Sequence, residues 1–588
     1  MEKNYLPGSQ RSGLISLLPK PNKDRTQIEN LRPITLLSIF YKIISGAYAN
    51  RLKTVLDKLI HPNQKAYLEG RYIGEITKSL NDIMYDLEDN NKDATILLID
   101  FSKAFDTISH NFIFNCMKIM NFGQQFIDGI KLLLTNRHSQ INNSGHLSKG
   151  FNLHRGVPQG DPISAYLFIL SLEFLFINLR NNKTIKKTIL SNGKQVFDMS
   201  YADDLTLVIP RDKTTTHTIL DTLKTFKTLS GLEVNIKKTV CINIGKNKDP
   251  TPFDPTIPLA FETTFKLLGI NFTCNASDTN QNFVTIGKLI EESLQFWSRK
   301  IFTPLGRIMA LKTFILSKYT HKALVLPSPP KPWLNNLQLK ITNFIFQRNS
   351  YPIAKAQLSL PINLGGYNIP DIETFWTALK IKLLLKTTYS QDAYATLFNQ
   401  NLTKFNYQNI HELTKDGPES IQHVAEHLKN PFWTPTLLTW SKCVTGYAIS
   451  SNKTLLNTYI LGNPIFGKPW NKRLTKPKTT IFGEDMAPIT HDDFSIDLRN
   501  VKFKHVLNNE SYVNCATLEL ILGQKVNTLE YIKILPILKK GLHLLQSVPQ
   551  IQNEKDIISW ASCRKGTKYI KTLTRYTNLT INQLTSTK

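Results

Sequence analysis

The chain has 588 residues, with 72 Lys and Arg against 45 Asp and Glu, a net charge of +27. That length exceeds what one hydrophobic core serves, so three or four domains are expected. Its basic balance points to a polyanion, nucleic acid before anionic membrane: no amphipathic stretch concentrates basic residues on one face, and no apolar run is long enough to span a bilayer. Six cysteines without a CxxC exclude a disulfide framework, and 41% hydrophobic residues with mean hydropathy of -0.21 exclude a disordered tail or membrane bundle.

In chain order, apolar residues Ile43, Ala47, Leu52, Val55 and Leu59 recur at helical spacing and stop at His61-Pro62, and a second helix is predicted over 73–88. Thr95 to Ile99 reads as a buried strand that ends abruptly on Asp100. Helix is predicted over 110–135, and again over 165–180, where apolar residues occur nearly all round, as under a sheet. Val196 to Ile209 reads as a hairpin around Tyr201-Ala202-Asp203-Asp204, lacking the usual Asn-Gly. A helical period at Ile219, Leu220, Leu223, Phe226 and Leu229 runs up to Gly231, a C-terminal stop. Short strands are predicted at 232–236, 239–244 and 265–272, giving a mixed α+β sheet with helices on one side. From 284 onward the pattern is helical, and the Pro- and Lys-rich stretch 464–478 is the expected linker.

If the strands flanking Asp100 and the 203/204 hairpin pair side by side, three carboxylates converge. Unit charges about 4 Å apart repel by about 4 kcal/mol at an effective dielectric of about 20, so such a cluster needs cations. Oxygen ligands without Cys or His select Mg²⁺ or Mn²⁺, and two such ions suit in-line attack of a hydroxyl on a phosphate. Successive strand residues face opposite ways, which makes Asp203 the stronger ligand candidate unless the turn twists both inward. An isolated Asp-Asp, by contrast, more often just satisfies a turn.

Further blocks accompany this hairpin in order: Arg32-Pro33-Ile34 with Leu36-Leu37; His61-Pro62-Asn63-Gln64; Asp100-Phe101-Ser102-Lys103-Ala104-Phe105-Asp106; and Arg155-Gly156-Val157-Pro158-Gln159-Gly160-Asp161-Pro162. Ser230-Gly231-Leu232 through Asn235, Lys238-Thr239 and Leu268-Gly269-Ile270 follow it. In these blocks, over about residues 12–380, the chain resembles the reverse transcriptases of non-LTR (LINE-type) retrotransposons. The resemblance implies an α+β right-hand polymerase with fingers at 1–90, a palm with an antiparallel sheet at 91–275 (fingers insertion about 110–160) and a helical thumb at 280–380; residues 381–588 match none of these blocks and are expected to form a mainly helical C-terminal extension whose role the sequence does not assign. It implies an RNA-directed DNA polymerase that extends a primer 3′-hydroxyl with dNTPs on an RNA template, using two Mg²⁺ or Mn²⁺ ions. DNA primer or target, RNA template and dNTPs are the partners implied, with no membrane, in nucleus and cytoplasm.

Residue by residue, the resemblance makes Asp100, Asp203 and Asp204 the metal ligands, with the Phe101 carbonyl as an extra one. Phe105 stands where the family has a bulky gate against the ribose 2′-hydroxyl. Gln159 and Gly160 match the loop beneath the incoming nucleotide, and Arg32 and Lys20 match basic fingers positions for the triphosphate. Lys238 matches a candidate proton donor to pyrophosphate, Leu268 and Gly269 the primer grip, and Lys288, Arg299, Lys300, Arg307 and Lys312 a thumb surface for duplex backbone. For each, ordinary structural or surface duty is the competing reading.

An upstream endonuclease and a downstream Cys/His knuckle, frequent in this family, have no place in the sequence given, so a partial reading frame is expected. Group II intron-type maturase, RNA-templated RNA polymerase and a catalytically dead nucleic-acid binder remain alternatives. His423-Val424-Ala425-Glu426-His427 fits a zinc HxxEH pattern, but an exposed helix face is the favoured reading. Template, target site and oligomeric state are not legible.

Overall fold

The computed structural model describes residues 6–443, apart from 21–23, 144, 302, 348–357, 361, 363–365 and 429, together with parts of 501–542. The expected linker 464–478 lies outside the described residues. The chain divides into two compact units, Met1–Asp278 and Thr279–Lys588.

The first unit holds two principal sheets. One is built on the strand Ser12–Pro19, which pairs antiparallel with Leu31–Leu37 and parallel with Arg137–Asn143; His146–Leu147 and Phe151–Leu153 complete it. The predicted elements did not include this sheet, because short runs such as Leu14-Ile15 and Leu17-Leu18 carry no alternation long enough to mark a strand.

The other sheet runs in the order Ala260–Phe261, Val240–Gly245, Asp93–Ile99, Asp204–Ile209, Asp198–Tyr201. Asp93–Ile99 is central and pairs antiparallel with both neighbours. Leu97, Ile99, Leu205, Leu207 and Ile209 join one hydrophobic core with the helices His110–Ile119, Gln124–Leu134, Ser164–Asn181 and Lys213–Ser230. The helix Gly74–Asp89 packs on Val240–Gly245 and Asp93–Ile99 separately from that core. Helices therefore cover both faces of the sheet, not one as expected. The reason is visible in the strand, where Ala94 to Leu97 are all fully buried, leaving no face for water.

Locally, most elements follow their sequence signals. The first long helix, Ile39–Leu59, starts where the Ser38 hydroxyl accepts from the Tyr41 amide. The expected 110–135 helix is two helices broken at Asn121, which takes a left-handed φ of 61°. Lys213–Ser230 ends on Gly231 at φ 78°. Residues 232–236 form no strand, only a single bridge between Val234 and Phe101. The expected strand 265–272 is a separate hairpin, Thr264–Leu267 with Ile270–Thr273.

The second unit, as described, is helical, beginning with Asn280–Ser298, whose Ile286, Ile290 and Leu294 are buried. Arg307, expected on a nucleic-acid-facing surface, is instead 1% exposed. Its guanidinium donates to the carbonyls of Ile301 (2.8 Å) and Phe344 (2.9 Å), so it knits helix ends together. Lys288, Arg299 and Lys300 are exposed. The His423 and His427 rings lie 4.4 Å apart on Pro418–Leu428, both at exposed positions.

Candidate active site

Strand register brings the acidic residues together. Leu205 lies opposite Ile99, so the pair one step further along is Asp204 and Asp100, at the mouth of the sheet. Asp204 also pairs with Tyr201, leaving Ala202-Asp203 as a two-residue turn. Ala202 adopts a φ of 56°.

The electrostatics record the crowding. The Asp203 carboxyl is raised above its usual range, first by burial and then by the Asp100 charge. Asp204 opens to solvent at its surface, yet the crowded turn strips enough water, with repulsion from Asp203 and Asp100 added, to push it up to about 6. Tyr67 faces the same group: burial raises its phenol, followed by the charges of Asp203, Tyr201 and Asp204. Lys238 Nζ lies 3.6 Å from Asp100 Oδ2, but side-chain exposures of 65% and 38% make this a screened pair.

Do these residues fit a divalent cation? The donors are all oxygen, and beyond the effect of burial Asp203 is destabilised as an anion by Asp100, and Asp204 by both, a penalty that a divalent charge removes. Among the described residues no three His, Cys, Asp or Glu side chains are gathered closely enough to hold a metal as they stand, so the aspartates form an open set. An open set suits Mg²⁺, which keeps several waters and takes one or two carboxylates with substrate phosphates.

The Asp100 backbone is fixed from the other side. Its carbonyl accepts from Asn235 N–H at 2.7 Å, and Ser102 N–H donates to the Glu233 carbonyl at 2.8 Å. The Phe101 carbonyl between them takes neither bond. Lys238 and Thr239 amides bond back to the Asn235 carbonyl, so the segment carrying Lys238 is folded against Asp100.

Phe105 lies on the short helix Ala104–Thr107, its ring half-buried. Its carbonyl accepts from the Val157 amide at 2.7 Å, and the Ile108 carbonyl accepts from Gly156 at 2.8 Å, strapping the Gln159-Gly160 loop to the segment after Asp100. That loop meets the first sheet where the Thr35 amide donates to the Gln159 carbonyl at 2.9 Å. Asp161 anchors it from below, buried and accepting from Ser45 and from the Tyr41 hydroxyl.

Arg32 lies opposite Leu18 on the first sheet and is exposed; Lys20 donates to the Glu29 carbonyl at 2.8 Å, closing the same hairpin. Leu268 and Gly269 form the turn of the separate hairpin, at φ 47° and 84°.

Sequence reasoning missed Tyr67, and assigned Gln64 and Asp161 no duty. Gln64 stood in a recognised block; Tyr67 carried no signal beyond lying three residues after it.

Residues 18–272 match the family model described as reverse transcriptase (RNA-dependent DNA polymerase). The chain is similar to the transposon TX1 uncharacterized 149 kDa protein of Xenopus laevis, 25% identical over 478 residues, covering 79% of this chain and 36% of that protein. It is 29% identical over 245 residues to a Pol polyprotein from the type-1 retrotransposable element R2 of Popillia japonica, covering 41% and 33%. The Pol polyprotein of the element R2DM of Drosophila melanogaster is 25% identical over 394 residues, covering 64% and 36%. The chain spans about a third of the length of these relatives.

Proposed function

We propose that this chain, whose residues 18–272 match the reverse transcriptase family model and which is similar to Pol polyproteins of R2 retrotransposable elements, extends a DNA primer with dNTPs on an RNA template. The observation that carries the reading is the register that sets Asp204 beside Asp100 with Asp203 in the adjoining turn.

Asp100, Asp203 and Asp204 would hold Mg²⁺ or Mn²⁺, two ions in this reading, with the Phe101 carbonyl as a further donor. When bound, such ions supply the positive charge that makes the primer 3′-hydroxyl more acidic and neutralises the departing pyrophosphate. The chain's own groups do the rest. Phe105 blocks the space of a ribose 2′-hydroxyl. Gln159 and Gly160 bring backbone close beneath the nucleotide, in a left-handed conformation at Gly160 (φ 117°) that glycine allows. Arg32 and Lys20 attract the triphosphate, and Lys238 gives a proton to the leaving pyrophosphate. Leu268 and Gly269 hold the primer end.

In the same reading 1–90 are fingers, 91–275 palm and 280–380 thumb. The net charge of +27 suits RNA template and DNA primer or target. No helix among the described residues is long and apolar enough to cross a membrane. Work on nucleic acid in nucleus and cytoplasm is part of the proposal.

Substrate competition tests it. Purified protein is offered a DNA primer on RNA or DNA template with dNTPs or NTPs. Extension on RNA with dNTPs preferred is expected; NTP preference indicates an RNA polymerase instead, and retention of primer-template with no extension indicates a binder.

A further inference from the structure

We propose that Gln64 is the positioning residue of the carboxylate hairpin, setting the turn from which Asp203 and Asp204 reach their cation. The inference deepens the polymerase reading and rests on it for its kinetic arm alone.

Gln64 is fully buried. Its Oε1 accepts from the Ala202 amide at 2.9 Å and from the Ala66 amide at 3.0 Å, while its Nε2 donates to the Ala202 carbonyl at 3.3 Å. One side-chain amide thus serves both backbone polar groups of a single turn residue. Ala202 itself is 4% exposed, so water does not substitute.

The need for such a clamp is local. Ala202 holds a φ of 56°, which glycine adopts freely and a residue with a β-carbon adopts at a cost of about 1–2 kcal/mol. An ordinary hairpin turn would place glycine or asparagine here. With alanine, the left-handed backbone persists because surroundings impose it. In a straight strand Asp203 and Asp204 would point to opposite faces, so the backbone at 202 decides whether both carboxylates serve one cleft.

The clamp stands on a rigid base. Gln64 and Ser200 form a parallel bridge, in which Lys65 N–H donates to the Ser200 carbonyl at 2.9 Å and Ser200 N–H to the Asn63 carbonyl at 3.1 Å. Asn63 Nδ2 donates to Asp198 Oδ1 at 3.1 Å, and Arg180 grips the same carboxylate, as close as 2.6 Å. The segment 63–65 therefore acts as an added edge to the hairpin, with the Gln64 amide reaching over its tip.

No other residue reproduces this bonding. Glutamate keeps the acceptor and loses the donor; methionine keeps the length and loses both; asparagine is one methylene short.

The test uses the full chain as wild type, Gln64→Met, Gln64→Glu and Gln64→Met with Ala202→Gly. Mn²⁺ binding without substrate is read by electron paramagnetic resonance, folding by circular dichroism, and kcat and KM for dNTP on primed RNA per titrated active site. Expected is a loss of Mn²⁺ affinity of about 10- to 100-fold in Gln64→Met, smaller in Gln64→Glu, with kcat falling in the same order and KM for dNTP within about twofold. Glycine at 202 is expected to recover melting temperature without recovering Mn²⁺ affinity. Wild-type affinity and per-site kcat in Gln64→Met, with only a lower melting point, would overturn the proposal. If Gln64→Met does not fold, unchanged Mn²⁺ affinity in Gln64→Glu overturns it and weakened affinity supports it. A wild type that binds Mn²⁺ yet extends no primer removes the polymerase reading, and the affinity series then decides the role of Gln64 alone.

Discussion

The ring of Phe105 lies stacked on the ring of Phe168, centroids 4.5 Å apart and planes 21° from parallel. Phe168 is fully buried, in the apolar helix Ser164–Asn181, so Phe105 is backed by core and does not swing aside. Substituting Phe105→Val is therefore expected to open the space at the sugar and lower the kcat/KM preference for dNTP over NTP by about tenfold or more. Unchanged preference would assign the ring to packing alone.

Gly160 tests the loop proposed to lie beneath the nucleotide. At φ 117°, a β-carbon there would lie 2.9 Å from the Thr35 carbonyl oxygen. Gly160→Ala is expected to displace the loop, raising KM for dNTP about tenfold, while backbone strain costs about 1–3 kcal/mol. Gly46, helical and with nothing within 4 Å of a β-carbon, is the control: Gly46→Ala should stabilise by about 1 kcal/mol and leave KM unchanged.

Asp212 caps the helix Lys213–Ser230, accepting from the Thr215 amide at 2.9 Å and from Lys186 at 2.8 Å. The Lys186 partner first, then Thr215, lowers its pKa to about 2. Because the folded value is depressed, the stabilisation is full above the unfolded carboxylate range near 4 and fades as pH falls toward 2. Asp212→Ala is expected to cost about 1 kcal/mol at neutral pH in thermal denaturation. The difference from wild type should close as the pH approaches 2; a constant difference would contradict the ionised cap.

Arg307 and its neighbours separate structure from nucleic-acid contact. Arg307→Ala leaves the Ile301 and Phe344 carbonyls without their donor and should cost about 3 kcal/mol. Arg299→Ala and Lys300→Ala, both at exposed positions, should leave unfolding unchanged and reduce the salt dependence of RNA–DNA duplex binding by about one counterion each. An unchanged salt slope removes them from the duplex surface.

Arg307 also shows where sequence reading stops. The family resemblance placed it on a duplex-facing surface, whereas its burial comes from helix ends that only tertiary packing brings near. Helix Ile39–Leu59 and the hairpin around Asp203 were legible because their apolar periods are long and local. The Ser12–Pro19 sheet was not, since its strands carry no clear apolar alternation and its parallel partner Arg137–Asn143 lies far off in the chain. Helices on both faces were missed although the nearly continuous apolar run before Asp100 carries that signal. The three aspartates could be named from spacing and family resemblance. Gln64, whose partner Ala202 lies 138 residues away, needed the fold to acquire a role.

The most direct measurement is primer extension by wild type and Asp203→Asn on RNA template in Mg²⁺, with circular dichroism of both proteins and chelation of the wild type. Extension by the wild type, lost on chelation and in the folded Asp203→Asn protein, is the expected result. Undiminished extension by Asp203→Asn, or by the chelated wild type, would contradict an acidic cluster that works through divalent cations.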